Sequence, residues 1–257
     1  MTARTVLITG AAGYLGSALA HGFASAGWKV LANGRSEARL GPLLASLAGA
    51  AQAAEPAVFD VTDEESVARF FAARPGLVLS TVINNAYAGG AGTVETSASH
   101  DYLAAVDVTV AAAHRVLRAA LPALRAAREQ GQASNVINIA SMYALVSPDL
   151  RVYQQPESAN PPFYGAAKAA LLQWTRYAAV EFAPEGIRVN ALTPGPFPSP
   201  DVQDAAPEFV SELARHVPLG RVGSADELVA PALFLASDGA SFVTGANLVV
   251  DGGWTAW

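Results

Sequence analysis

Seven short runs rich in β-branched residues recur along the chain, separated by longer, alanine-rich stretches that favour helix. The runs read TVLITG, KVLANG, AVFD, LVLSTVINN, NVINIA, RVNALT and NLVVDGG. Apolar strands that alternate with helices form a parallel sheet covered on both faces. The pattern therefore predicts an α/β fold: a Rossmann-type, doubly wound parallel sheet of about seven strands with helices on both faces.

The chain has 257 residues, which is enough for one large hydrophobic core. The low-complexity stretch LAGAAQAAEPAV is interpreted as the end of a helix followed by a turn at Pro56. Because no linker or repeat interrupts the alternation, we expect a single domain over residues 1–257.

Charge and cysteine content narrow the classes of partner. The net charge is −6, and the acidic residues are scattered, so no basic face is available for nucleic acid or anionic lipid. There are no cysteines, which excludes disulfides, thiolate nucleophiles and cysteine-type zinc sites. The four histidines show no metal-ligand spacing, so no metal is expected. A small-molecule partner is favoured.

The N-terminal stretch MTARTVLITGAAGYLGSALAHGFASA has the early arginine, apolar run and small residues of a signal peptide. We reject that interpretation because Gly10, Gly13 and Gly16 interrupt the apolar run, and cleavage would remove the first strand and helix. No later segment has the roughly 18 consecutive apolar residues that a membrane span requires. We therefore expect a cytoplasmic protein without membrane attachment.

The same three glycines lie between the first predicted strand and the first predicted helix. In a dinucleotide-binding turn the first glycine permits the tight turn, the second lets the backbone approach a phosphate, and the third lets the helix pack on the strand. The free N–H groups of the helix N-terminus then face the anion. The spacing predicts a dinucleotide site.

The second predicted strand ends in Asn33 and Gly34, where NAD-binding proteins of this fold usually place an acid for the ribose 2′-hydroxyl. Arg35 follows, and a guanidinium suits a 2′-phosphate. NADP(H) is therefore favoured, and NAD(H) stays open. Asp60 is a candidate acceptor for the adenine amino group, and residues 84–86 end the fourth strand where the cofactor crosses the sheet.

Tyr164 and Lys168 are four residues apart on a predicted helix and so share a face. Lysine is rare here: Lys29 and Lys168 are the only two among 16 basic residues. A compact ammonium fits between two ribose hydroxyls and lowers the pKa of a nearby phenol. A unit charge about 4 Å away at an effective dielectric of ~20 contributes roughly 4 kcal/mol, or about 3 pKa units. Tyr164 is therefore a candidate for proton exchange near neutral pH.

Ser141 follows the fifth strand at the carboxyl edge, where doubly wound sheets bind ligands. Its hydroxyl is a candidate to hold a substrate carbonyl oxygen beside Tyr164. The glycine turn, the NNA segment, this serine and the Tyr-x-x-x-Lys pair follow one another in this order. By these motifs the chain resembles the short-chain dehydrogenase/reductase family over essentially its full length.

The resemblance implies hydride transfer between a nicotinamide cofactor and a ketone or secondary alcohol. It implies that Tyr164 is the general acid in reduction and the base in oxidation, that Lys168 anchors the nicotinamide ribose and tunes Tyr164, and that Ser141 orients the carbonyl. The implied cofactor-binding positions are Gly10, Gly13, Tyr14, Leu15, Gly16, Arg35, Asp60, Val61, Asn85, Ala86, Tyr164, Lys168, Pro194, Gly195, Phe197 and Ser199.

Three positions depart from the family pattern. Tyr14 stands where compact members have glycine, Tyr87 replaces the glycine that usually follows NNA, and Asp107 replaces a catalytic asparagine. The family's asparagine helps to hold a water that relays protons to the lysine, and Asp107 could do this through its backbone carbonyl. Asp107 is kept as a fourth candidate catalytic residue, and Tyr87 as a candidate wall of the substrate pocket.

The connection from Ser141 to Tyr164, residues 142–163, is longer than is usual in the family. Long loops are more often functional than decorative, so we expect it to shape substrate choice. Arg151, Tyr143 and Tyr153 are candidates to bind a carboxylate or a hydroxyl-rich substrate, and ordinary packing with surface charge is the alternative. A looser similarity, from this insertion and the DGGWTAW ending, is to reductases associated with surface sugars and nonulosonic acids.

Two predicted helices, within AAVDVTVAAAHRVLRAALPAL and YGAAKAALLQWTRYAAVEFA, carry apolar residues on most faces. This favours a homo-oligomer, a tetramer or dimer, with alanine enrichment alone as the alternative. The leading hypothesis is an NADP(H)-dependent carbonyl reductase or alcohol dehydrogenase for a polar ketone or sugar-derived substrate. The alternatives are a 3-oxoacyl-thioester reductase and a non-catalytic dinucleotide-binding sensor.

Overall fold

A computed structural model describes residues 4–50 and 52–257. Residues 1–3 and residue 51 lie outside the described residues. Residues 1–3 belong to the stretch that resembles a signal peptide, and all four belong to the expected domain 1–257. The described residues form one sheet of seven parallel strands in the order β3-β2-β1-β4-β5-β6-β7. The strands are β1 (Thr5–Ile8), β2 (Lys29–Gly34), β3 (Glu55–Val58), β4 (Thr81–Asn84), β5 (Ser134–Ile139), β6 (Ile187–Pro194) and β7 (Asn247–Val250). The predicted doubly wound fold is confirmed.

The starts of β3 and β4 differ most from the sequence prediction. Pro56 was expected in a turn, but it lies within β3 and pairs in register with Ala32. This is possible because β3 is an edge strand, where the missing proline N–H costs no ladder hydrogen bond. Strand β4 starts four residues later than its apolar run, since the N–H of Leu79 donates to Ala123 O instead of joining the sheet.

Helices cover both faces of the sheet. They are α1 (Tyr14–Ser25), α2 (Glu37–Ser46), α3 (Glu64–Ala72), α4 (Ser99–Val106), α5 (Ala112–Glu129), α6 (Pro162–Phe182), α7 (Pro200–Ala205), α8 (Pro207–His216) and α9 (Val229–Ala236). A π-helical stretch, Asp107–Ala111, joins α4 to α5 without a break. The side chain of Asp63 starts α3 by accepting the N–H groups of Glu65 and Ser66, a standard N-cap.

The two faces of the sheet build two separate hydrophobic cores. Val6 and Ile8 of β1 point to the core that contains α1, α2 and α9. Leu7 points to the opposite core, with α3, α5 and α6. This alternation is the period of two expected of a strand buried on both sides, and it fixes the positions of the strand ends that carry the site.

The insertion 142–163 is built from three 3-10 turns, Met142–Ala144, Leu150–Val152 and Pro156–Ser158. Met142, Tyr143 and Val152 pack against α8 and Trp254 in a cluster apart from the two main cores. The insertion is thus a packed wall between the sheet edge and α8.

Helices α4 and α6 keep exposed apolar side chains in the single chain. Leu103 and Val106 of α4 and Tyr177 and Val180 of α6 are exposed, with Val180 at 78%. Within residues 4–50 and 52–257, no helix combines the length and apolarity that crossing a bilayer would take.

Candidate active site

The polar residues singled out from the sequence meet at the carboxyl edge of the sheet. Thr9 and Gly10 follow β1, Asn85 follows β4, and Ser141 lies just beyond β5. Helix α6 brings Tyr164 and Lys168 to the same edge, where Tyr164 packs against the insertion cluster. The carboxyl ends of parallel strands lie at the same edge of a sheet, so residues far apart in sequence form one site.

The glycine turn has the backbone geometry that an anion site requires. Gly10 has a φ of 62°, a left-handed conformation that favours glycine. A Cβ on Gly16 would lie 2.3 Å from Gly10 O, so only glycine lets α1 approach the turn this closely. No side chain caps the N-terminus of α1 at Gly13, which leaves its N–H groups free for a phosphate. These features fit a dinucleotide.

Thr9 braces this turn, a contribution that the sequence reasoning missed. Its Oγ1 accepts the N–H groups of Asn85, at 2.9 Å, and Ala86, at 3.0 Å. The Asn85 amide donates in return to Thr9 O and Gly10 O. The Thr-Gly pair after a predicted strand was the available signal, because a threonine there can accept backbone donors of the neighbouring strand end.

At the end of β2, Asn33 is buried and used internally: its amide donates to Ala57 O and Phe59 O. Arg35 is exposed beside it. One oxygen of Asp60 accepts from the backbone and hydroxyl of Thr62. Burial would raise the pKa of Asp60, but these two hydrogen bonds and the Arg35 charge bring it below its ordinary value. Arg35 and Asp60 are therefore electrostatic neighbours at the predicted adenosine end.

Lys168 is buried, and its Nζ donates to Ile139 O at 2.7 Å. Burial lowers the pKa of Lys168 to about 8 because the ammonium loses water. The backbone carbonyl at the end of β5 is a partner that no side-chain motif could indicate. It holds the ammonium at the sheet edge.

The prediction that the pKa of Tyr164 is lowered is wrong. Burial raises the pKa of Tyr164, and the Ser141 hydroxyl only partly offsets this. The Lys168 ammonium lies 5.8 Å from the Tyr164 ring centre and is bonded to a carbonyl, so desolvation outweighs its charge. Ser141 and Tyr164 are nonetheless brought together as predicted.

Tyr87 contacts both of these α6 side chains. Its ring centre is 4.8 Å from that of Tyr164, edge to face, and 5.4 Å from Lys168 Nζ. Burial and the neighbouring Tyr164 raise the pKa of Tyr87, and its hydroxyl has no hydrogen-bond partner. The aromatic ring expected at the mouth of the site therefore lies against the Tyr164–Lys168 pair.

Asp107 is placed differently from the other candidates. Its carboxylate pairs with Arg115 at 2.5 Å, and its backbone carbonyl accepts the N–H of Ala112 in the π-helical stretch. A cavity of about 10 Å³ lies beside Lys168, lined in part by Asn84, Val61 and Thr109, whose Oγ1 is unpaired. That volume is at the lower limit for one water molecule.

The segment after β6 borders the same edge. Pro194 ends β6, and Gly195 N donates to Val250 O at 3.0 Å. The Phe197 ring packs on Gly223, and Ser199 precedes α7. At the turn into α1, Leu15 packs against the core, and the Tyr14 hydroxyl accepts the N–H of Ala225 at 3.4 Å.

Comparison with known proteins agrees with this geometry. A family profile described as "Enoyl-(Acyl carrier protein) reductase" matches residues 10–255. The chain belongs to the short-chain dehydrogenase/reductase family. It is 32% identical over 257 residues to 2,5-dichloro-2,5-cyclohexadiene-1,4-diol dehydrogenase LinX of Sphingobium indicum, covering 99% of this chain and 97% of the relative. It is 34% identical to cis-4-hydroxycyclohexanecarboxylate dehydrogenase of Sinomonas cyclohexanicum, with coverages of 98% and 97%.

Among solved structures, a gluconate 5-dehydrogenase from Burkholderia cenocepacia, in complex with NADP and tartrate, has a TM-score of 0.86 at 29% identity. The match covers 100% of this chain and 97% of that one. The short-chain dehydrogenase/reductase chain described here is an enzyme: an oxidoreductase that acts on CH–OH groups of a small molecule with a nicotinamide cofactor.

Proposed function

We propose that this enzyme uses NADP(H) to interconvert a ketone and a secondary alcohol of a small, hydroxylated substrate. The observation that carries the proposal is the meeting of Ser141, Tyr164 and Lys168 at one sheet edge, next to a glycine turn with a free helix N-terminus. Acid–base chemistry and dinucleotide binding are thereby supported at the same place.

The bound nicotinamide supplies or accepts a hydride. The protein's own groups do the rest: Ser141 holds the carbonyl oxygen, and Tyr164 donates a proton to it in reduction or removes one in oxidation. The pKa of Tyr164 lies above its ordinary value, so the phenol is protonated at neutral pH, as a donor must be. Lys168, fixed by Ile139 O, has further N–H groups with which to bind a ribose hydroxyl.

The preference for NADP(H) rests on Arg35. It is exposed at the end of β2. The Asn33 amide donates to Ala57 O and Phe59 O and its Oδ1 accepts the N–H of Gly10, so Asn33 does not replace the missing acid at the 2′-hydroxyl. A guanidinium there binds a 2′-phosphate better than a hydroxyl. The NADP in the Burkholderia cenocepacia structure supports the same choice.

The decisive experiment follows absorbance loss at 340 nm with NADPH and, separately, NADH. The panel contains α-diketones, keto sugars, keto acids and 3-oxoacyl thioesters. We expect NADPH turnover with small polar ketones ahead of thioesters. A preference for thioesters would favour the acyl-reductase alternative. Tight NADPH binding without turnover of any compound would contradict the proposal and favour the sensor alternative.

We further propose a homo-oligomer, a dimer or tetramer, that covers Leu103 and Val106 of α4 and Tyr177 and Val180 of α6. Four apolar side chains exposed on adjacent helices, which contact one another extensively in the fold, form the type of surface that subunits bury. A monomeric mass in light scattering at micromolar concentration would contradict it.

A further inference from the structure

Beyond the Ser141–Tyr164–Lys168 group, an open cavity of about 490 Å³ lies between the insertion and helices α7 and α8. Its walls include Tyr153, Gln154 and Ser158 of the insertion, and Glu208 and Phe209 of α8. Its volume is in the range of small-molecule sites. We call this space the insertion cavity.

Two tyrosines link the lining of the insertion cavity to the packed cluster that contains Tyr164. Tyr143 packs with Tyr164 in the same cluster, and its hydroxyl lies 3.0 Å from that of Tyr153. The amide of Asn160 donates to Tyr153 Oη at 3.4 Å. Burial, followed by the influence of Tyr153, raises the pKa of Tyr143, so its phenol stays neutral and can both donate and accept. This polarity matches alcohol groups of a substrate.

The same cavity has an aromatic face. The rings of Tyr153 and Phe209 lie 5.3 Å apart at 40°, one from the insertion and one from α8. Aromatic faces pack against the C–H side of a saturated ring while polar tips bind its hydroxyls. The lining therefore suits a ring that carries hydroxyl groups better than a long flexible chain.

The charges at the cavity oppose an anionic substrate. Glu208, an exposed acidic residue of α8, is among the residues that line it. Arg151 was a candidate carboxylate binder, but its guanidinium is 90% exposed and bonded at two nitrogens to Asp149. Those hydrogen bonds lower the pKa of Asp149 to about 2, so the pair is ionised and mutually neutralised at neutral pH. A substrate carboxylate would meet Glu208 without a compensating cation from Arg151.

We propose that the insertion cavity binds an uncharged, polyhydroxylated ring through the Tyr153 hydroxyl, which Asn160 helps to orient, and through the Tyr153–Phe209 face, and that Glu208 selects against sugar acids. This substrate class rests on the proposed oxidoreductase function. It differs from the carboxylate-bearing compounds named for two of the similar proteins.

The test measures NADP⁺-dependent oxidation of glucose, galactose and myo-inositol as uncharged polyols, gluconate and glucuronate as acids, and cyclohexanol as the parent alcohol. We expect at least one polyol to exceed the acids and cyclohexanol about tenfold in kcat/KM. Tyr153→Phe should lower that polyol's kcat/KM about tenfold through KM, a larger loss than for cyclohexanol, which lacks the further hydroxyls that Tyr153 would bind. Glu208→Gln should raise kcat/KM for the acids about fivefold relative to kcat/KM for the polyols.

Tyr177→Phe is the matched control, because it removes a phenol hydroxyl that does not line the insertion cavity and keeps the apolar ring that the proposed subunit interface would cover. The proposal would be overturned if the acids were oxidised faster than every polyol. It would also be overturned if Tyr153→Phe changed kcat/KM equally for the polyol and for cyclohexanol. If no alcohol is oxidised, the proposed function fails, and calorimetric titration of the NADP⁺-loaded protein with the same polyols and acids tests the cavity alone. Polyol binding that is lost in Tyr153→Phe would support the cavity; no polyol binding would overturn it.

Discussion

The sheet edge and the insertion wall are held together in different ways. At the edge, side chains bind backbone: Thr9 accepts two backbone N–H groups, and Lys168 donates to Ile139 O. In the wall, side chains bind other side chains, as in the part-buried Tyr143–Tyr153 pair and the exposed Arg151–Asp149 pair. Backbone partners are the same whatever the neighbouring sequence, whereas side-chain partners change with one substitution. The edge is therefore suited to constant chemistry and the wall to adjustable selection.

The largest effect expected at the edge comes from Tyr164→Phe, which removes one hydroxyl and keeps the helix. Loss of a general acid costs about 10²- to 10⁴-fold, so we expect kcat to fall about 10³-fold while NADPH affinity stays within threefold. Single-turnover kinetics and fluorescence titration measure the two quantities. Tyr177→Phe on the same helix is the control, because it also removes one hydroxyl and keeps the apolar ring that the proposed subunit interface would cover. A Tyr164→Phe enzyme with near wild-type kcat would remove Tyr164 from the mechanism.

The next largest effect is expected at Arg35, and it tests whether this residue distinguishes NADPH from NADH. Arg35→Ala should weaken NADPH binding about 30-fold and NADH binding less than threefold, since a charge-assisted hydrogen bond contributes roughly 1.5–3 kcal/mol. The measurement is the Kd of each cofactor by fluorescence. Arg39→Ala, an exposed arginine on α2, should change neither. Equal weakening of both cofactors by Arg35→Ala would argue against 2′-phosphate recognition.

A third experiment tests whether the Lys168 ammonium at the sheet edge is buried in solution. The pKa of Lys168, about 8, lies below its ordinary 10.5, so the unfolded chain binds more protons between these values and stability rises with pH there. Relative to Lys168→Met, the wild-type free energy of unfolding should rise by up to about 1.4 kcal/mol per pH unit from pH 8 to 9.5.

Urea denaturation at pH 7.5, 8.5 and 9.5 measures this slope. Lys29→Met is a matched control, since Lys29 is partly exposed and pairs with Glu55. Parallel pH dependences of the wild type and Lys168→Met would show that the Lys168 ammonium is not desolvated in solution.

The smallest effect is expected in the wall. The pKa of Asp149 is lowered to about 2 by Arg151, so its stabilisation is present above about pH 4 and is lost as the pH falls towards 2. Exposed pairs contribute little, and Asp149→Asn should lower Tm at pH 7 by less than about 2 °C, with the difference narrowing below pH 4. Calorimetry at pH 7 and pH 3 measures this, with exposed Asp204→Asn as control. A loss above 5 °C would mean that the wall is as firmly built as the edge.

Much of the edge was predictable from sequence because it depends on local rules. The glycine spacing, the strand-end Ser141 and the four-residue separation of Tyr164 and Lys168 each require only the period of a strand or helix. The misplaced turn at Pro56 failed for a non-local reason, because a proline is tolerated in a strand only where that strand lies at a sheet edge. The direction of the Tyr164 pKa shift failed likewise, because burial is a property of the whole fold.

The alternation of strands and helices, the glycine turn and the order of the candidate residues can all be predicted from the sequence. They follow from short-range periodicity and from conformations open to glycine alone. Three contacts emerge only in the packed fold: Thr9 braces the turn, Asp149 binds the Arg151 guanidinium, and the Tyr153 ring lies against that of Phe209 at the insertion cavity. Those contacts join residues or backbone groups whose distance and solvation are set by packing, and no local pattern contains that information.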